Sequence, residues 1–412
     1  MGTTAVTALL GFGFWLIAAR VLPPIYVGRA AALVSAMLLV GVFTNLGLGQ
    51  VLISRLGSRA GGAEWSLTVT TCLVVAGVAS LVGGLIAALL LPALVPGLRG
   101  GIGAAAFAIL PLGVAAVACS QVLDFACIAE RRARPSFVRN VVAALLRLAL
   151  IGGAALGPLD NAVWLLSIWV ASFVVIDIHG VVRMLPALER GFGPTLRGYR
   201  GEVAEIRSLV AGHQSINLGS QASAYLLPVI VAARLGATDN AYFYATFMLA
   251  TGLFFIAPAI GNSLFAEGAH HPEQLNRDLA KAVRYVAMLA TPPAIVLLAA
   301  GPFLLGIFGS DYADAGTGLL YVLIGSAVFD AGYQLAIAVL RARGRLGEAA
   351  IATWTLLITC VGSAWLLLPS MGVIGAGVGW CIGKAAGLVV ALILLKKSPR
   401  PGTGLAEGPT RA

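Results

Sequence analysis

Charge is scarce in this sequence. Of 412 residues, 27 are Lys or Arg and 17 are Asp or Glu, 11% in all, where a soluble domain carries about 25%. Hydrophobic residues make up 59% and the mean hydropathy is +0.95. A soluble fold of this length could not cover so much apolar surface with so few polar side chains, which excludes a soluble enzyme or a cytosolic binding domain. Cysteine is sparse too. Cys72, Cys119, Cys127, Cys360 and Cys381 are odd in number, lie in apolar runs and lack metal-ligand spacing. They suit small buried side chains rather than disulfides or a redox centre. No Gly-rich loop ends in Gly-Lys-Ser/Thr, so no ATPase is built in. No His/Cys/Asp group has metal spacing, and neither a cofactor nor a catalytic residue is expected. The net charge of +10 fits loops facing an anionic membrane surface better than a nucleic-acid partner.

What is present is a succession of long apolar runs. Twelve spans are expected near 4–20, 31–53, 67–93, 103–128, 137–157, 162–186, 210–233, 240–262, 284–307, 316–340, 348–368 and 373–395, each about the ~20 residues that cross a bilayer, or longer. The runs are too long for barrel strands and do not alternate. The first is not a cleavable signal, because Met1 to Ala5 carries no basic side chain and no clear cleavage site follows. A cytoplasmic N-terminus puts 21 of the 27 basic residues on the cytoplasmic side. Arg20, Arg29, Arg99 and Arg234 fall opposite, with Arg147 and Lys384 inside spans. That bias predicts an even number of spans with both termini cytoplasmic, and a cysteine at Gly316 accessible from outside.

The most polar connector, 187–208, has six expected spans on either side. The expected division is therefore a six-helix bundle over 1–186, the connector, a second bundle over 209–396, and a tail over 397–412. Ala18-Ala19-Arg20 and Ala232-Ala233-Arg234 close the first span of each half. Arg132-Ala133-Arg134 and Arg341-Ala342-Arg343 follow the fourth of each. Six spans per half preserve orientation, so the repeats would be parallel. Pro228 and Pro258 are expected to bend spans seven and eight.

Four stretches carry a family resemblance: Phe43-Thr44-Asn45-Leu46-Gly47-Leu48-Gly49 with Ser54-Arg55; Arg234-Leu235-Gly236 with Asn240-Ala241-Tyr242-Phe243-Tyr244 and Leu264-Phe265; Phe308-Gly309-Ser310-Asp311-Tyr312-Ala313-Asp314-Ala315; and Leu340-Arg341-Ala342-Arg343-Gly344-Arg345 with Pro369-Ser370-Met371-Gly372-Val373-Ile374-Gly375-Ala376. In order and spacing they resemble the multidrug/oligosaccharidyl-lipid/polysaccharide flippase superfamily, most of all its polysaccharide branch with O-antigen-type flippases. The chain departs from that pattern at Arg20-Val21-Leu22-Pro23 and at Asn45, where an acidic residue is common. The resemblance implies an all-α membrane protein that moves a lipid-linked saccharide (polyprenyl phosphate or pyrophosphate type) between leaflets of the cytoplasmic membrane and hydrolyses nothing. Proton or sodium coupling, membrane lipids and polysaccharide assembly enzymes are the further partners it suggests.

A charge inside a span is costly and asks for a reason. Arg147 and Lys384 are either cavity cations for a lipid-linked phosphate or halves of structural ion pairs. Arg20 and Arg234, at the ends of matching spans, either frame an opening or snorkel to headgroups. Gln214, Asn217 and Gln221 share a helical face and either line a saccharide cavity or bond between helices. Asp124, Asp177, His179 and Asp330 are candidates for cation coupling, with salt bridges as the alternative. Trp164, Trp169, Trp365 and Trp380 either mark interfaces or pack between helices. The leading expectation is a lipid-linked oligosaccharide flippase and the alternative a cation-coupled exporter of small amphiphiles. A membrane-embedded glycosyltransferase would need a large charged outward loop, and the outward loops here are short.

Overall fold

A computed structural model describes residues 2–45, 47–56, 62–98, 104–154, 161–209, 214–270 and 272–397. All regular structure among them is helical. It runs α1 (Gly2–Val21), α2 (Pro24–Thr44), α3 (Leu48–Leu56), α4 (Ala63–Leu94), α5 (Ala104–Ala129), α6 (Ala133–Ala154), α7 (Ala162–His179), α8 (Leu185–Leu188), α9 (Tyr199–Leu209), α10 (Gln214–Arg234), α11 (Ala237–Phe254), α12 (Ile256–His270), α13 (Leu275–Gly306), α14 (Ser310–Ala342), α15 (Leu346–Met371) and α16 (Val373–Lys396). Among the described residues ten stretches are long and apolar enough to cross a membrane, with α7–α8 and α11–α12 each counting as one. The protein is thus all-α and polytopic. The apolar run of α1 is shorter, Val6–Val21, and α10 opens on the polar sequence Gln214-Ser215-Ile216-Asn217.

Helix boundaries follow local chemistry. Pro23 cannot continue α1, and Pro24 starts α2 at a position where its missing N–H costs nothing. This moves the second span from the expected 31–53 to 24–44 and brings Arg29 into the helix. The segment then breaks at Asn45, with Gly47 at φ 72°, before resuming as α3. The eighth span also breaks, at Phe255. Pro258 has no N–H to give the carbonyl of Phe254, and its ring crowds that carbonyl, so the helix restarts as α12. Pro228, by contrast, sits inside an uninterrupted α10.

Helix order and length correspond on the two sides of α9. An interrupted second segment (α2–α3, α11–α12) precedes a 32-residue helix (α4, α13) in each half. The α5–α6 and α14–α15 turns are closed by the same pair of bonds. Arg131 N–H donates to Ile128 O and Arg132 N–H to Cys127 O, while Gly344 N–H donates to Arg341 O and Arg345 N–H to Leu340 O. The turn residue is left-handed in both, Arg131 at φ 55° and Gly344 at φ 69°. Arg131 therefore matches Gly344. The Arg-Ala-Arg motifs lie on opposite sides of this turn, one opening α6 and the other closing α14.

The halves meet through α1 and α2 against α10 and α11. Asn240 Nδ2 donates to Gly28 O at 2.7 Å, and a side chain on Gly28 would overlap the carbonyl of Ala237. Phe12 meets Phe308 edge-on at 5.1 Å, Trp15 meets Tyr244 at 4.8 Å, and Arg20 Nε donates to Ile307 O. These contacts gather at the end of the molecule that carries Arg20, Arg29 and Arg234. No comparably extensive contact joins α3–α9 to α12–α16 among the described residues. At the opposite end the connector is laced to the first half. Glu189 accepts from Gly62 N–H at 3.0 Å, and buried Glu202 accepts from Thr68 Oγ1 at 2.8 Å with Arg55 Nη1 at 3.8 Å.

Within the second half α15 and α16 pack backbone to backbone along Gly375, Gly379, Gly383 and Gly387, one per turn. In lipid this close approach replaces the hydrophobic effect as the source of helix association. A Cβ on Gly379 would fall 2.6 Å from Ala364 N, whereas one on Gly325 meets open space. Gly379→Leu should therefore lose about 1–3 kcal/mol or more, read as a sharp fall in monodisperse protein after heating in detergent. Gly325→Ala should elute and melt like the wild type.

Candidate functional site

Among the described residues, three sets of charged side chains in the membrane-spanning helices hold the ionisable candidates. The first joins α5, α6 and α7 and is built on Arg139, which is 3% exposed. Its Nη2 lies 2.8 Å from Asp124 Oδ1 and its Nη1 2.8 Å from Asp177 Oδ1. Nη2 also donates to Ser120 O at 2.7 Å. Asp124 accepts further bonds from Ser136 Oγ at 2.5 Å and Asn140 Nδ2 at 3.1 Å. One turn of π-helix, Gly180–Met184, starts three residues after Asp177, and Gly180 packs against Leu123 beside Arg139. Sequence reasoning counted Arg139 among the loop cations and so missed the residue that joins both N-terminal carboxylates. The signal was available: two acids in neighbouring spans need a cation at their depth, and Arg139 stands one and a half turns inside α6. His179 is exposed, away from the cluster.

The second set joins α14 to α16. Lys384 Nζ lies 2.7 Å from Asp330 Oδ1, the side chains being 5% and 2% exposed. The ammonium also sits 4.3 Å from the Trp380 ring centroid and 5.4 Å from that of Tyr333, and Tyr333 Oη donates to Thr353 Oγ1 at 2.8 Å. Gln334 Nε2 reaches Asp330 at 3.4 Å. A cation and an acid raised separately as site candidates are thus each other's partner.

The third set is different. Arg147, on α6, is half-buried, and among the described residues its partners are a hydroxyl and two aromatic faces. Nε donates to Ser172 Oγ at 2.9 Å, and the guanidinium carbon lies 4.1 Å from the Trp169 centroid and 4.6 Å from that of Phe173. Trp169 belongs to an aromatic group with Phe14 and Trp15, which extends across the junction of the halves to Tyr244. Tyr244 lies within electrostatic reach of the guanidinium. Among the described residues Arg147 therefore presents a positive charge with no carboxylate partner, against an aromatic group that reaches the junction of the halves at Tyr244. Cation–π and hydroxyl contacts orient the fork without neutralising it.

The remaining candidates scatter. Arg20 and Arg234 are exposed at the end where the halves meet, Arg20 on Ile307 O and Arg234 over the Trp365 ring at 4.5 Å. Gln221 is exposed on α10, and the side chains of Gln214 and Asn217 lie outside the described residues. Among the described residues no group of three or more His, Cys, Asp or Glu side chains is placed to hold a metal ion.

No protein-family profile and no curated protein matches the chain. Solved structures do. A multidrug-resistance MATE family transporter of the MOP superfamily in an inward-facing conformation aligns with a TM-score of 0.71 at 18% identity, over 94% of this chain and 93% of that one. The lipid II flippase MurJ in an inward closed conformation aligns at 0.74 and 12% identity, over 96% and 87%. An outward-facing MATE structure aligns less well, at 0.64 and 16% identity, over 95% and 92%. The fold is therefore the one shared by MATE transporters and MurJ.

The two kinds of buried cation should separate by mutation. Lys384→Met strands Asp330 in an apolar site and should cost about 3–5 kcal/mol, while Lys384→Met with Asp330→Leu should recover most of it. Arg147→Gln breaks no ion pair and should cost about 1–2 kcal/mol. Thermal midpoints of the four purified proteins in one detergent check the order.

Proposed function

We propose that this protein is an alternating-access flippase that carries a lipid-linked oligosaccharide across the cytoplasmic membrane for polysaccharide biosynthesis. The observation that carries this reading is Arg147: among the described residues a guanidinium without a carboxylate, walled by Trp169 and Phe173 in an aromatic group that extends to Tyr244 of the second half. A diphosphate or phosphate head carries the charge such a site lacks, and a planar fork binds two of its oxygens. Tyr244 would offer a hydrogen bond and a stacking surface to the sugars. The lipid tail would stay in the bilayer while the head passes between the halves. No chemical bond is made or broken in this process.

In this reading twelve spans form two parallel six-helix bundles, 1–186 and 209–396, joined by a cytoplasmic connector over 187–208. The matched order of interrupted and long helices supports it. Both termini face the cytoplasm, in keeping with the basic-residue bias. The halves are then closed on the outer side and the state is inward-facing, in line with the closer likeness to inward-facing structures. Rocking about the α2–α11 contact would open the other side.

A second reading, export of small amphiphiles coupled to a cation, draws support from the aromatic walls and from the MATE fold. The sign of the charge weighs against cationic compounds, which Arg147 would repel.

Arg147→Gln should leave protein in the membrane at normal abundance and cut outer-leaflet exposure of lipid-linked saccharide at least tenfold, while Arg147→Lys should retain part of it. Wild-type transfer by the Gln variant would defeat the substrate role. Unchanged saccharide transfer together with lost resistance to amphiphilic toxins would favour the exporter.

The topology is tested at Ser310 rather than Gly316, because Gly316 is buried in α14 and a Cβ there would collide with Thr246 Oγ1. Ser310→Cys should be labelled by an impermeant maleimide from outside in whole cells. Labelling only after permeabilisation would overturn the orientation.

A further inference from the structure

The turn between α5 and α6 meets the segment that leaves α7 at the end of the first half that carries the connector. Arg132 Nη1 donates to Ala187 O at 3.1 Å. Arg183 stands four residues before Ala187, about one helical turn away, and Arg134 opens α6 two residues after Arg132. All three arginines are exposed, and none has a carboxylate partner among the described residues. The acids nearby are already engaged. Glu130 accepts from Trp65 Nε1 at 2.7 Å, Glu189 accepts from Gly62 N–H at 3.0 Å, and Asp124 is held by Arg139 at 2.8 Å.

The matching turn of the second half is self-contained. There Arg345 pairs with Glu348 and donates to Leu394 O at 2.7 Å, and Arg341 lies over the Phe265 ring at 4.4 Å. This fold can therefore satisfy a basic turn from within, and the first half leaves its own unsatisfied. Next to the arginines the helices become apolar on their outer faces. Val138 and Val142 follow Arg134 at four-residue spacing on α6, while Ile178 and Val182 lead up to Arg183 on α7, and all four are exposed. In a chain that spans a membrane an exposed apolar stripe faces acyl chains, so arginines at its end stand at headgroup depth.

We propose that this rim binds one anionic diacyl phospholipid, its phosphate held by Arg132, Arg134 and Arg183 and its chains lying along the outer faces of α6 and α7. A guanidinium fork matches two phosphate oxygens, Arg132 is already anchored by Ala187 O, and the N-terminal end of α6 adds its dipole at the same spot. A zwitterionic headgroup brings a cation of its own against the three arginines and fits less well. The bound lipid bridges the α5–α6 turn to the start of the connector and braces that end of the first half. The site is distinct from Arg147, which lies 13 residues further along α6, roughly 20 Å along its axis, and it does not rest on the transport reading.

The test uses full-length protein purified in detergent and stripped of lipid. It is titrated with dioleoyl phosphatidylglycerol, and bound lipid is counted by native mass spectrometry alongside the thermal midpoint. Wild type should hold one lipid tightly and melt higher with it, and dioleoyl phosphatidylcholine should do neither. Arg134→Gln with Arg183→Gln should weaken retention roughly tenfold or more, and Arg134→Lys with Arg183→Lys should keep part of it. Arg343→Gln, exposed at the matching turn of the second half, should bind like wild type. Arg147→Gln should also bind like wild type, so that failure of the substrate site and failure of this site read differently. Inorganic phosphate at the same concentration should leave the midpoint unchanged. Wild-type retention by the double Gln variant, equal retention of phosphatidylcholine, loss of retention in Arg147→Gln or Arg343→Gln, or a phosphate effect equal to that of the lipid would overturn the proposal.

Discussion

A charge held between apolar helices must find its partner inside the protein, because lipid offers none. That constraint organises the interior of this molecule. Lys384 and Asp330 neutralise each other and tie α14 to α16. Arg139 gathers Asp124 and Asp177 and ties α5, α6 and α7. Once these sets are closed, Arg147 stands out, since its hydroxyl and aromatic partners leave its charge uncompensated. The exception acquires meaning because the rule is obeyed around it.

Packing follows the same logic of an apolar solvent. With no hydrophobic effect to press helices together, association depends on close approach, and the glycine ladder of α16 and Gly28 of α2 supply it. The two uses differ in place. The α15–α16 contact lies within one half. The Gly28–Ala237 contact lies between halves, beside the Asn240 bond.

Proline chemistry is only partly legible in the sequence. Of the two prolines expected to bend spans, Pro258 follows the break in the eighth, where its missing donor and its ring act, while Pro228 sits inside an uninterrupted α10, and the start of α2 at Pro24 was not anticipated. The break at Asn45–Gly47 was not anticipated, because a Gly inside an apolar run reads equally well as packing. Its role as a left-handed hinge depends on what Asn45 bonds, and that partner, Gln121 at 2.8 Å, is on another helix. The Arg-Ala-Arg motifs misled in register for a related reason: local similarity carries no information about which side of a turn a residue occupies.

Composition and hydropathy by themselves determined that this chain is an all-helical membrane protein, roughly where its spans lie, and that Arg147 and Lys384 fall inside them. These are one-dimensional properties: the length of an apolar run and the spacing of polar interruptions are set along the chain. Which buried charge is paired with which was decided only by tertiary structure. Arg139 lies 15 residues from Asp124 and 38 from Asp177, and Lys384 lies 54 from Asp330, so each partnership depends on how helices are rotated and laid side by side. Ion-pair energy weakens with separation, so the partner each cation takes is set by that placement.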